Sequence, residues 1–133
     1  MSASAPESPV AALRAAADAL RQQLRASSFD AVAVQQLADF IETQRAALSA
    51  ADRQGVTTAL GCFLGQCLVE TYGGTWAQGP DGTTGVGINQ QHFFNPFFRV
   101  AEQLDKGLSE SVVAFFASVP IHLENPGRRQ WIS

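Results

Sequence analysis

A chain of 133 residues, 46% apolar and 16% charged, suits one globular domain and buries enough surface to fold without a metal or a disulfide. Its formal net charge of −3 gives no electrostatic footprint for nucleic acid or an anionic membrane, so neither is expected as a partner. The longest apolar run, Ala59 to Val69, is interrupted by Gln66 and is shorter than the roughly 20 residues a bilayer span needs.

Residues 1–8 are rich in Ser, Ala and Pro, carry no basic signal region and read as a disordered tail; residues 9–133 then form the domain. Ser8 is placed as a helix N-cap with Pro9 in the first helical position. Val10, Leu13, Ala17, Leu20 and Leu24 recur at steps of three and four, with Arg14, Asp18, Arg21 and Arg25 opposite. That stripe is too short for a coiled coil and predicts a helix packed on its own domain. Ser27-Ser28 breaks it. Asp30 caps a second helix whose inner face carries Val34, Leu37, Phe40, Ile41 and Leu48. The short polar turn between the two predicts an antiparallel helical hairpin.

Ser49 to Gln54 is polar and is assigned to the next turn, which starts the third helix near Gly55 and runs it to Tyr72. Val56, Leu60, Phe63, Leu64, Cys67 and Leu68 make its main face. Gly61 and Gly65, one turn apart, each cost up to ~1 kcal/mol relative to alanine, which predicts that another backbone element comes close. Cys62 and Cys67 point roughly 140° apart on such a helix, which disfavours a disulfide; free buried thiols fit a reducing cytoplasm. Gly73-Gly74 supplies a left-handed stop.

The period then changes. Thr75 to Gln78 and Thr83 to Ile88 are strand candidates around the turn Gly79-Pro80-Asp81-Gly82. Trp76 shares a face with Gln78, and Val86 and Ile88 share one with Thr84. Gly85 and Gly87 leave the opposite face bare, which suits a bulge, an edge or close covering by a helix. Asn95-Pro96 starts a fourth helix that ends at Gly107. Ser109 caps a fifth, which Pro120 stops, and Ile121 to Leu123 is placed as a third strand. Asn125-Pro126-Gly127 is a turn, and Trp131-Ile132 folds back as an apolar clasp. The fold class is α+β: an N-terminal helical hairpin, a central glycine-bearing helix, a small antiparallel sheet and two C-terminal helices.

Chemistry is sparse. Cys62 or Cys67 with His92 or His122 would make a nucleophile and base, but a thiol buried in mid-helix has a raised pKa and is inert. Two cysteines facing different ways and two histidines thirty residues apart match no metal-site spacing, so no metal or other cofactor is expected. Glu70, Asp81, Glu102, Asp105 and Glu124 read as solvated surface. Gly85-Val86-Gly87 lacks the lysine and the frame of a phosphate loop.

Two features point to recognition. Asn89, Gln90 and Gln91 lead into His92 between a strand end and a helix start, where binding residues gather. Phe93, Phe94, Phe97 and Phe98 beside Trp76 exceed what one helix face buries, so core packing and an apolar groove both stand open. The candidate binding set is Trp76, Gln90, His92, Phe93 and Phe94. The leading expectation is a non-catalytic cytoplasmic protein acting by protein–protein contact, as an adaptor, a toxin-neutralising partner or a homodimer. The alternative is a small-ligand domain with a pocket between Trp76, the hairpin and residues 93–98. A third reading is a small hydrolase-type enzyme using Glu70, His92 or a cysteine.

The string Leu60-Gly61-x-x-Leu64-Gly65, then Gly73-Gly74-x-Trp76, Asn95-Pro96-Phe97-x-x-Val100 and Gly107 resembles a family of small, uncharacterised bacterial domains. That family has an LGxxLGE helix, a GGxW strand start, a proline–phenylalanine helix start and a late glycine. The resemblance covers about the last two thirds of the chain. It implies a fold more than a function, and brings no catalytic residues. The chain departs from the pattern at Gln66, where the family has a glutamate.

Overall fold

Capping and burial set the helices of the computed structural model, which describes residues 9–79, 82–89 and 91–124 and the backbone of 130–132. The elements are α1 (Pro9–Leu24), α2 (Ala31–Arg45), α3 (Ala50–Tyr72), β1 (Thr75–Gln78), β2 (Thr84–Ile88) and β3 (His92–Phe94). They continue as α4 (Pro96–Lys106), a 3-10 turn (Gly107–Glu110), α5 (Val112–Leu123) and β4 (Gln130–Ile132). This is the α+β architecture expected. The tail 1–8, the Ser8 cap, Pro80, Asp81, Gln90 and the 125–127 turn lie outside the described residues. Among the described residues no helix is long and apolar enough to cross a membrane.

Asp30 accepts from Ala33 N–H (3.0 Å), and Asn95 accepts from Phe98 N–H (3.0 Å), so both expected caps form. The Ser28 hydroxyl also donates to Asp30 (2.6 Å); with the Ala33 amide, it holds the Asp30 carboxyl below the usual range. α3 starts earlier than its apolar pattern, at Ala50. Ser49 accepts from Asp52 N–H (3.2 Å) and donates to the Asp52 carboxylate (2.9 Å), so the polar stretch 49–54 is a solvated first turn. α5 is capped by Ser111, not Ser109, because Gly107–Glu110 forms a separate 3-10 turn.

Pro120 does not stop α5, and Ile121 to Leu123 is helical rather than a strand. A proline at 120 leaves the Phe116 carbonyl without its helical donor. The Tyr72 hydroxyl takes that role, donating to Phe116 O at 2.8 Å, with the two rings 4.9 Å apart. Burial pushes the Tyr72 phenol up, which keeps it a donor. Tyr72→Phe is expected to cost about 1–2 kcal/mol in the native chain and far less in a Pro120→Ala background, where residue 120 supplies its own N–H. Urea denaturation of the four-member cycle measures this; equal costs in both backgrounds would refute it.

α3 is the central helix and every residue from Leu60 to Leu68 is buried. α1 packs chiefly along α3, and α2 packs on α5, α3 and α4, so the first two helices touch the core more than each other. The two α3 glycines face rings, not a backbone element. A Cβ on Gly61 would collide with the Phe97 ring, and one on Gly65 with the Trp76 indole. Gly73 ends the helix at φ +74°, as its position predicts.

The sheet order is β1-β2-β3-β4, with the first three strands antiparallel and β4 parallel to β3. The third strand is thus His92–Phe94, and Gln130–Ile132 returns to pair beside it. Trp76 pairs with Val86, and Val86 with Phe94; all three are buried on the helix-facing side. β2 is an inner strand without a bulge. The Phe93 ring, on the other side, lies over Gly87, where an added Cβ would come 3.1 Å from Phe93 Cε1.

Candidate functional site

Strand alternation sorts the predicted binding residues into two sets. All four described members are buried, Trp76 at 5%, His92 at 4%, Phe93 at 4% and Phe94 at 0% exposure, and Phe93 lies on the opposite face of β3 from His92 and Phe94. Phe94 packs against Phe115 (6.0 Å between centroids) and His122 (6.3 Å). Trp76 packs against Gly65 and Phe97 (6.1 Å). Of the predicted set, Phe93 lines a cleft beside β1 and β2. Gln90 lies outside the described residues.

That cleft is a trough of about 730 Å³ lined by Gly73, Thr75, Ala77, Gln78, Gly87, Asn89 and Phe93. Gly87 contributes no side chain to it, and the Phe93 ring lies close to the Gly87 backbone. No lining residue is charged; Thr75, Gln78 and Asn89 supply hydroxyl and amide groups. Asn89 holds φ +60°, a turn conformation that asparagine tolerates. A second, apolar hollow of about 280 Å³ brings Trp76, Ala77 and Gln78 together with Pro9, Val10 and Leu13 of α1.

β1 is an edge strand among the described residues, so one row of its backbone groups has no sheet neighbour among them. Gly79 N–H donates to Thr83 O (2.9 Å), which sets the alternation of the ladder. Gly79:Thr83, Ala77:Gly85 and Thr75:Gly87 are then the hydrogen-bonded pairs. The N–H and C=O of Trp76 and Gln78 turn away from β2, toward the open edge.

Neither thiol is set up to react. Burial pushes both Cys62 and Cys67 up, and the Asp30 and Glu70 carboxylates add to the effect at Cys67. Both are free cysteines and both are buried. Among the described residues no three His, Cys, Asp or Glu side chains cluster to hold a metal.

The buried amide of Gln66 stood out in the sequence as the break in the longest apolar run and as a departure from a family pattern, without a role. Its Oε1 accepts from Trp76 Nε1 (3.1 Å) and its Nε2 donates to Glu70 Oε2 (2.9 Å). An uncharged polar residue inside nine buried positions was the available signal, since a buried amide needs partners. The open β1 edge carried no such signal, because strand order is not local information. No family model, no curated protein and no solved structure matches the chain.

Proposed function

We propose that the chain is a non-catalytic protein-interaction module, of adaptor or toxin-neutralising type, that takes an extended segment of another protein along β1. The observation that carries this reading is the open β1 edge running beside an uncharged trough. An added strand would pair with the Trp76 and Gln78 backbone and lay alternate side chains into the trough. Nothing in Thr75-Trp76-Ala77-Gln78 guards the edge: it has no lysine, no proline and no charge. A second copy of the chain offers the same strand and is the homodimeric form of the same reading.

Two further parts of the proposal rest on packing. The buried free thiols favour the reducing bacterial cytoplasm as its location. The relationship to the small bacterial domains is supported by the contact of Gly65 with Trp76, which gives the LGxxLG and GGxW segments a shared packing role.

Gln78→Pro tests the reading, because it removes an outward N–H without removing a rung of the β1–β2 ladder. A library of displayed extended peptides is selected on the native chain. Binders that slow hydrogen exchange at Trp76 and Gln78, and weaken about tenfold or more on Gln78→Pro, are the expected result. Binders indifferent to that substitution, or a chain that selects none and stays monomeric at about 1 mM, would overturn it.

A further inference from the structure

A hollow between α1 and α3, apart from the trough, has the parts of a small-molecule site. It measures about 410 Å³ and is lined by Arg14, Asp18, Phe29, Gln66, Val69 and Glu70. That volume lies within the range of ordinary ligand pockets.

Its base is built from within. Gln66 is 5% exposed. The Trp76 indole can only donate, so Gln66 Oε1 must face it and Gln66 Nε2 must face Glu70. One oxygen of Glu70 is thereby held by a buried amide, and Oε1 remains to accept from a ligand. Opposite, the Asp18 carboxylate is already engaged by Arg21 Nε (2.9 Å) and Gln22 Nε2 (2.8 Å). The Arg21 hydrogen bond, followed by that of Gln22, holds its carboxyl below the usual range. Arg14, one turn earlier, makes no ion pair among the described residues. Phe29 and Val69 supply an apolar wall.

The hollow thus presents the anchored Glu70 carboxylate, the engaged Asp18 carboxylate, a guanidinium with no ion pair among the described residues and a hydrocarbon surface. A simple cation would meet Arg14, and a simple anion would meet Glu70. A molecule carrying both charges meets neither penalty. We propose that this hollow binds a small zwitterion of the α-amino-acid class with an apolar side chain. The ammonium group donates to Glu70 Oε1, the carboxylate takes the Arg14 fork, and the side chain lies on Phe29 and Val69. Glu70 and Arg14 make the contacts; Gln66 and Trp76 are positioning residues behind Glu70.

The test is calorimetric titration of the full chain with leucine and phenylalanine, alongside leucinamide, which lacks the carboxylate, and N-acetyl-leucine, which lacks the ammonium. The expected result is binding of the free amino acids at about millimolar affinity or tighter, with both blocked forms weaker by about tenfold or more. Glu70→Gln and Arg14→Gln, both at exposed positions, should each weaken leucine by about tenfold while leaving the circular dichroism spectrum unchanged. No binding at about 10 mM leucine or phenylalanine, leucinamide binding as well as leucine, or indifference to Glu70→Gln would overturn the proposal. No residue lining the hollow belongs to β1, and Gln78→Pro leaves the Trp76 indole that backs Gln66 in place, so it should leave leucine binding intact, and the two readings fail separately.

Discussion

Gly65→Ala is expected to destabilise the fold by about 2–4 kcal/mol, the opposite of what helix propensity alone predicts. In an exposed helix the substitution would gain up to about 1 kcal/mol. Here the new methyl would occupy the space of the Trp76 six-membered ring. The indole has little freedom to yield. It is 5% exposed, its Nε1 is tied to Gln66 Oε1 at 3.1 Å, and its other side meets Phe97. Moving it breaks that hydrogen bond inside the core and leaves Gln66 half satisfied. A tryptophan of this kind buries roughly 150–250 Å², so partial expulsion alone costs a few kcal/mol. Thermal unfolding should fall by about 10 °C, and Trp76 emission should shift to the red in a Trp131→Phe background. An unchanged midpoint would show that Trp76 is not seated on Gly65.

The Trp76 seat also shows why the fold was partly legible and the packing was not. Two glycines one turn apart signalled that something approaches α3, because nothing local justifies their cost. What approaches is set by contacts eleven and thirty-six residues away, and these turn out to be rings. Caps made by Asp30 and Asn95 were readable because a cap is written within four residues. The start of α3 was not, since its first turn is polar and periodicity is silent without a buried face. Pro120 misled for a physical reason. A proline stops a helix when its orphaned carbonyl has no other donor, and Tyr72, forty-four residues upstream of Phe116, provides one.

The candidate sites divide in the same way. The aromatic stretch from Phe93 to Phe98 was visible as a concentration of large rings. Its division was not. Phe94 enters the core and Phe93 covers Gly87, while Phe98, at 42% exposure, lies beside the Arg99 guanidinium at 5.8 Å. Period-two alternation would have separated Phe93 from Phe94 had His92–Phe94 been assigned as a strand. A three-residue strand followed at once by a capped helix gives too short a pattern to read.

Gln103→Leu is expected to cost about 3–5 kcal/mol, although it replaces a buried polar side chain with an apolar one of similar size. Gln103 is fully buried, at 0% exposure, and it joins three helices. Its Nε2 donates to Ala38 O (3.2 Å) and to Glu42 Oε2 (2.9 Å) on α2. Its Oε1 accepts from Val112 N–H (2.9 Å), one of the orphan donors at the start of α5. Ser111 serves the next amide, Val113, at 3.0 Å. The α5 N-terminus is therefore capped by its own serine and by a side chain from α4. Leucine would strand the Val112 amide and leave Glu42 without that donor, and an unpaired buried group costs more than a made bond contributes. Gln103→Glu separates the two halves of the role. It keeps an acceptor for Val112 and sets a second carboxylate against Glu42, so its destabilisation should be greatest near neutral pH and shrink as acid protonates the pair. Urea denaturation of both variants between about pH 4 and 7 tests this. A Gln103→Leu chain as stable as the native one would show that α5 does not depend on its cap from α4.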